Sequence, residues 1–285
     1  MQQPKMGGNE KLRIFIKGNH DVSHSLLSGA EGGEGLEQGL RDWVAEKYQG
    51  AFQVVITHEP CARSDLLLQQ LELGSLPAEL TEQGMNDGFV TAQFQSRLWS
   101  TQGQVDVVAL SLQPEVAQPL WRHRRQGYLF CPTPRWVEEW NMPQKRWFQE
   151  QFAMTGTLNP AQSKENLQRL IQEIKHRLGA HVIIYNCSSV DPEDTMSNYH
   201  GIKADPVALR IHKLNLALMQ LSIREGISII DVDRLIAELG GEQHVIKAMT
   251  YSNTALEIIG KEFLRVVEDI GFFEKRPLVM QAGRQ

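Results

Sequence analysis

A chain of 285 residues with 41% apolar content is long enough to bury a large core, as one large domain or two small ones. Its formal net charge of −5 gives no global attraction to nucleic acid or an anionic membrane, and no run approaches the roughly 20 apolar residues of a membrane helix. Cys61, Cys131 and Cys187 are too few and too scattered for a disulfide framework, and the polar start Met1 to Glu10 is unlike a secretory leader, so the expectation is a soluble cytoplasmic protein with reduced thiols.

The first strong element is Leu12-Arg13-Ile14-Phe15-Ile16, a short buried strand that runs into Gly18 and the polar cluster Asn19-His20-Asp21-Val22-Ser23-His24-Ser25. A glycine-rich loop follows, then Leu40, Trp43, Val44 and Tyr48 at helical spacing. A β-branched strand from Gln53 to Thr57 ends at His58-Glu59-Pro60-Cys61, and Ser64 or Asp65 is placed to cap the helix that Leu66 begins. The third strand, Val105 to Leu110, is almost wholly apolar, as when helices cover both faces of a sheet, and it ends at Ser111-Leu112-Gln113. Asn159 as cap, Pro160 at the first position, a stripe through Leu167, Leu170, Ile171, Ile174 and Leu178, and Gly179 as stop define a helix. The fourth strand, His181 to Tyr185, ends at Asn186-Cys187-Ser188-Ser189, and the fifth, Ile227 to Ile230, at Asp231. Helices carrying Ile211 to Leu221 and Ala255 to Ile270 complete the chain.

Strands alternating with helices imply an α/β fold, a three-layer α/β/α sandwich around a five-stranded parallel sheet. Ligands of such sheets sit beyond the carboxyl ends of the strands, so one rim gathers Asn19, His20, Asp21, His58, Cys61, Gln113, Asn186 and Asp231. The stretch from Val116 to Trp147 breaks the alternation. It holds Trp121, Trp136, Trp140 and Trp147, with Arg122, Arg124, Arg125, Arg135, Lys145 and Arg146 against Glu138 and Glu139. It reads as an insertion over 116–158, either a small aromatic core of its own or a lid whose arginines and rings hold a substrate over the rim.

The order of the strand-end segments resembles the SGNH, or GDSL-type, hydrolase superfamily. Its Gly-Asp-Ser block falls on Gly18-Asn19-His20, and its second block on Pro60-Cys61-Ala62-Arg63-Ser64. Its Gly-x-Asn-Asp block falls on Ser111-Leu112-Gln113-Pro114, and its Asp-x-x-His block on Lys247-Ala248-Met249-Thr250, followed by Tyr251-Ser252. The resemblance implies a flavodoxin-like sheet, a single domain over 1–285 with a disordered N-terminus over 1–10, a small-molecule substrate and no cofactor. It also implies that nucleophile, base and orienting carboxylate have become His20, Thr250 and Lys247, which removes the usual relay. The oxyanion donors that remain are the Cys61 backbone N–H and the Gln113 amide.

Two functional classes follow. One is a hydrolase cleaving or transferring a small acyl group with a relocated set: Ser23 as nucleophile, His20 or His24 as base, Asp21 beside them, and Asn19, Cys61, Ser64, Gln113, Asn186 and Tyr251 binding substrate. The other is a binding protein that keeps the pocket without the chemistry and takes an anionic metabolite, a sugar or a protein segment. A metal site is a third, weaker reading: His20 and His24 share a face if their segment is helical, with His58-Glu59 at the next strand end. The loop with Asn198, Tyr199 and His200 can reach the rim or pack on itself.

Overall fold

The computed structural model describes residues 10–29, 36–60, 63–100, 105–132, 138–190, 207–247 and 249–274. Cys61, Trp136, Ala248 and residues 191–206, with Asn198, Tyr199 and His200, lie outside the described residues.

The central sheet is built from β1 (Glu10–Lys17), β2 (Phe52–Glu59), β3 (Val107–Ser111), β7 (His181–Tyr185) and β8 (Ser228–Ile230), in the order β2-β1-β3-β7-β8 and parallel throughout. The period of two along each strand divides the core. Ile14, Ile16, Val107, Ala109, Ile183 and Tyr185 face one layer, while Phe15, Val108, Leu110, Val182 and Ile184 face the other. The first layer is covered by α1 (His20–Leu26), α2 (Leu40–Lys47), α10 (Val232–Glu238) and α11 (Asn253–Asp269). The second is covered by α3 (Ser64–Leu73), α8 (Pro160–Leu178) and α9 (Val207–Glu225). Strand order reverses between β1 and β3, which opens a crevice at their carboxyl ends.

The helix after Asn159 forms as its local signals require: Asn159 accepts from the Gln162 N–H at 2.9 Å, and Gly179 closes it at φ 65°. The start of α3 does not. Arg63 holds the cap position, and Ser64 is already helical. The Ser64 N–H donates 2.5 Å to Oε1 of Glu115, which lies in α6 (Gln113–Ala117). A buried carboxylate from another element thus takes one first-turn N–H, and Asp65 Oδ1 takes that of Leu66 at 3.0 Å.

The Trp- and Arg-rich segment forms an antiparallel sheet of β4 (Leu120–His123), β5 (Leu129–Phe130) and β6 (Phe152–Thr155) with α7 (Met142–Gln151) against it. Tyr128, Phe130, Trp140, Phe148 and Phe152 bury themselves with Leu80, Met85, Val90 and Phe94. The latter four come from α4 (Ala78–Glu82), α5 (Gly88–Phe94) and the turn between them. Two arginines hold its stem. The buried Arg63 donates to the carbonyls of Gln118 and Gly156, at 3.4 and 3.0 Å, and Arg210 donates to those of Val116, at 2.7 Å, and Leu158, at 2.6 Å.

Candidate functional site

The rim assembles around the crevice between β1 and β3. Glycine at 18 is needed for close packing, because a Cβ there would sit 2.4 Å from the Cβ of Val22. The first turn of α1 then presents His20 to solvent and turns Asp21 into the protein. Asp21 is 1% exposed, and its Oδ2 accepts from the Ser111 hydroxyl at 2.6 Å, which ties α1 to the end of β3. Its Oδ1 has no hydrogen-bond partner among the described residues. Burial raises the Asp21 pKa to about 6, against the lowering effect of the Ser111 hydroxyl and nearby backbone N–H groups.

His20 and His24 lie one helical turn apart, and His20 Nδ1 and His24 Nε2 share one hydrogen bond at 3.0 Å with the rings edge to face. Ser23 is not brought to either of them: its hydroxyl donates to the Asn19 carbonyl at 2.8 Å, closing the first turn of α1. Gln113 Nε2 donates to the Met249 carbonyl at 2.7 Å. The amide expected to serve a developing oxyanion thus pins the turn between β9 (Val245–Lys247) and β10 (Thr250–Tyr251), where Met249 sits at φ 58°. Left-handed backbone costs a residue with a Cβ roughly 1–2 kcal/mol, so this turn needs the anchor.

The other expected residues are spread along the same rim. His58 Nε2 donates to the Gly18 carbonyl at 3.0 Å. Asn186 donates through Nδ2 to Asp231 at 2.8 Å and accepts from the Asp233 N–H at 3.2 Å. The hydroxyl of the buried Tyr251 accepts from the Ser188 N–H at 3.2 Å, and burial holds its pKa well above the usual tyrosine value. A cleft of about 430 Å³ opens beside Asn186 and Asp231, lined also by Ser189, His212, Met219 and Asp233. Ser64 is buried at the α3 start and meets Glu115.

Three features escaped the sequence reading. Lys17 and Glu59 form a buried ion pair at 2.9 Å at adjacent strand ends, where Glu59 also accepts from the Ser96 hydroxyl and the Arg97 N–H. Burial pushes the Glu59 pKa up, but Lys17 and these donors together hold it below the usual range. Glu115 binds the Ser64 N–H and the Ser163 hydroxyl, and burial carries its pKa above the usual value. His244 Nδ1 lies 2.9 Å from the Ser252 hydroxyl, just ahead of α11. A lysine inside an apolar strand was a visible signal; its partner 42 positions on was not.

The sheet order and the crossovers define a three-layer α/β sandwich of the flavodoxin-like kind, with the strand-end loops gathered at one rim. No family model matches the chain, and no curated protein does. Among solved structures it is similar to the acetyl xylan esterase AlAXEase, at 10% identity over 90% of this chain and 100% of that one, with a TM-score of 0.47. It is similar to the acetylxylan esterase Axe2 from Geobacillus stearothermophilus, at 15% identity over 94% and 97%, with a TM-score of 0.47. It is likewise similar to a lipase/acylhydrolase from Enterococcus faecalis, at 14% identity over 91% and 96%, with a TM-score of 0.47. No helix among the described residues is long and apolar enough to cross a membrane.

Proposed function

We propose that this protein binds a small polar molecule at the rim of a hydrolase-type sandwich and does not carry out serine hydrolysis. The observation that carries this reading is how the rim groups are engaged. The Ser23 hydroxyl donates to Asn19, the Ser111 hydroxyl to Asp21, and one N–H of the Gln113 amide to Met249. A nucleophile needs a base within hydrogen-bond reach, and Thr250 and Lys247 supply neither base nor carboxylate. The cleft beside Asn186 and Asp231 is large enough for a metabolite or a single sugar. Its compartment on this reading is the cytoplasm, in keeping with Cys131 and Cys187 as buried residues outside any disulfide. The test sets p-nitrophenyl esters and a serine-directed fluorophosphonate probe, read by intact mass, against a panel of carboxylates and sugars read by thermal shift. No turnover, no adduct and a ligand-dependent rise in the midpoint are expected. Turnover together with a serine adduct overturns the reading.

A second reading is favoured by one pair. Ser252 Oγ accepts from the Ala255 N–H at 3.3 Å and lies 2.9 Å from His244 Nδ1, to which its hydroxyl donates in the tautomer that carries the proton on Nε2. This is the hydroxyl–imidazole geometry of an ester- or acyl-directed hydrolase with a non-standard set. An adduct mapped to Ser252 selects it.

A further inference from the structure

We propose that His20 and His24 form a two-imidazole site for a divalent transition-metal ion of the Ni²⁺, Cu²⁺ and Zn²⁺ class. Histidines at i and i+4 on one helical face project together, an arrangement metalloproteins use to place two ligands on one ion. Here the two nitrogens are already 3.0 Å apart. With metal–nitrogen bonds of roughly 2.0–2.1 Å, that separation subtends an angle of roughly 95° at a shared ion. An angle near 90° suits tetragonal Ni²⁺ or Cu²⁺, and a small opening of the pair suits Zn²⁺. In the metal-free pair one nitrogen donates and the other accepts, so one proton sits between them. Binding replaces that proton with the ion, and modest rotation about the Cβ–Cγ bonds turns both lone pairs outward, a torsion with a broad minimum for imidazoles.

The surroundings permit an ion to arrive. His20 is exposed, and His24 is half-buried. The helix that carries them is seated by the Asp21–Ser111 hydrogen bond and by close packing on α11, where Gly260 leaves room for the Ser25 carbonyl. The pair is therefore held in register before metal arrives, which lowers the ordering cost of chelation. No group of three or more His, Cys, Asp or Glu side chains with metal-site geometry occurs among the described residues. With no third such side chain supplied by the described residues, water or an oxygen- or nitrogen-bearing ligand from solution can fill the remaining coordination positions. Such an ion would sit on the exposed face of the first turn after β1, and neither histidine lines the cleft beside Asn186 and Asp231, so its binding does not depend on which molecule enters that cleft.

The experiment uses the full chain without a histidine tag and titrates Ni²⁺, then Zn²⁺, by calorimetry, with Mg²⁺ as the hard-ion control. One ion per chain is expected, with a matching rise in thermal midpoint. His20→Gln and His24→Gln are each expected to weaken binding about tenfold or more while keeping the metal-free midpoint, and His176→Gln, on the exposed face of α8, is expected to leave it unchanged. The direct readout is the imidazole C–H resonances, which shift or broaden for His20 and His24 on Ni²⁺ addition. Wild-type protein that binds neither ion at millimolar concentration overturns the proposal. Affinity that survives both His20→Gln and His24→Gln, or that falls with His176→Gln, overturns it equally.

Discussion

The buried ion pair at the ends of β1 and β2 gives the sharpest test of how this rim is held. Lys17 and Glu59 are paired across adjacent strands, with side chains 1% and 5% exposed and a separation of 2.9 Å. Replacing Lys17 with Met keeps the stem and removes the charge, leaving the Glu59 carboxylate buried with the Ser96 hydroxyl at 2.6 Å and the Arg97 N–H at 2.8 Å. Breaking one side of a buried pair costs about 3–5 kcal/mol, and the Arg97 guanidinium, 3.2 Å from Glu59 but largely exposed, places this case near about 3. The sign of the pH dependence follows from the charges. In the wild type, Glu59 is held below its unfolded pKa, so its contribution is present above the ordinary glutamate range and is lost as pH falls through the folded value. In Lys17→Met burial dominates, the carboxyl shifts up, and stability rises as pH falls toward the ordinary glutamate value. Urea unfolding followed by tryptophan fluorescence at about pH 7.5 and about pH 5.5 measures both slopes. The variant is expected to lose about 3 kcal/mol at the higher pH and less at the lower, and Lys17→Met with Glu59→Gln is expected to recover part of the loss. A Lys17→Met protein within about 1 kcal/mol of wild type, with no difference between the two pH values, refutes the reasoning.

Glu115→Gln should raise stability near neutral pH and make little difference in acid. The wild-type carboxyl prefers its proton in the folded state, so its contribution is full below the ordinary glutamate range and is lost as pH rises through the raised folded value. Equal effects at both pH values would count against that assignment. Gln113→Ala should cost about 1 kcal/mol by releasing the Met249 carbonyl, seen as a lower urea midpoint; an unchanged midpoint means the anchor is idle. Gly260→Ala should lower the thermal midpoint sharply, because the new Cβ would fall 2.0 Å from the Ser25 carbonyl, a clash beyond the usual overpacking cost of about 1–3 kcal/mol. A tolerated alanine would mean that α1 is not seated as described.

What the sequence made legible was whatever is decided within a few residues. The helix from Pro160 to Leu178 carries its cap, first-turn proline, stripe and terminal glycine in its own sequence, and the strand from His181 to Tyr185 was bounded to the residue. The parallel sheet followed from alternation of such elements. What local rules could not reach was pairing between distant residues. The Ser64 N–H at the start of α3 is satisfied by Glu115, 51 positions away, which no capping rule shows, while Asp65 takes only the N–H of Leu66 beside it. Gln113 meets Met249 across 136 positions, and a backbone carbonyl leaves no mark in sequence. His20 and His24 were legible as a pair only on condition of a helix, and α1 meets that condition. Ser23 looked available because a serine beside histidines looks activated; in a helical first turn its nearest acceptor is the carbonyl one turn back.

The shared aromatic core of the Trp-rich segment ties together two successive excursions from the sandwich, one on either side of β3 and α6. Phe94 and Val90 have their apolar face covered by Phe130, Phe148 and Phe152, and those rings are covered in return. Neither excursion can be trimmed alone without stranding the other's greasy side in water. Any shortened descendant of this chain would therefore have to shed both at once. Two cationic rivets, Arg63 and Arg210, fasten the base of the second excursion to the body of the molecule.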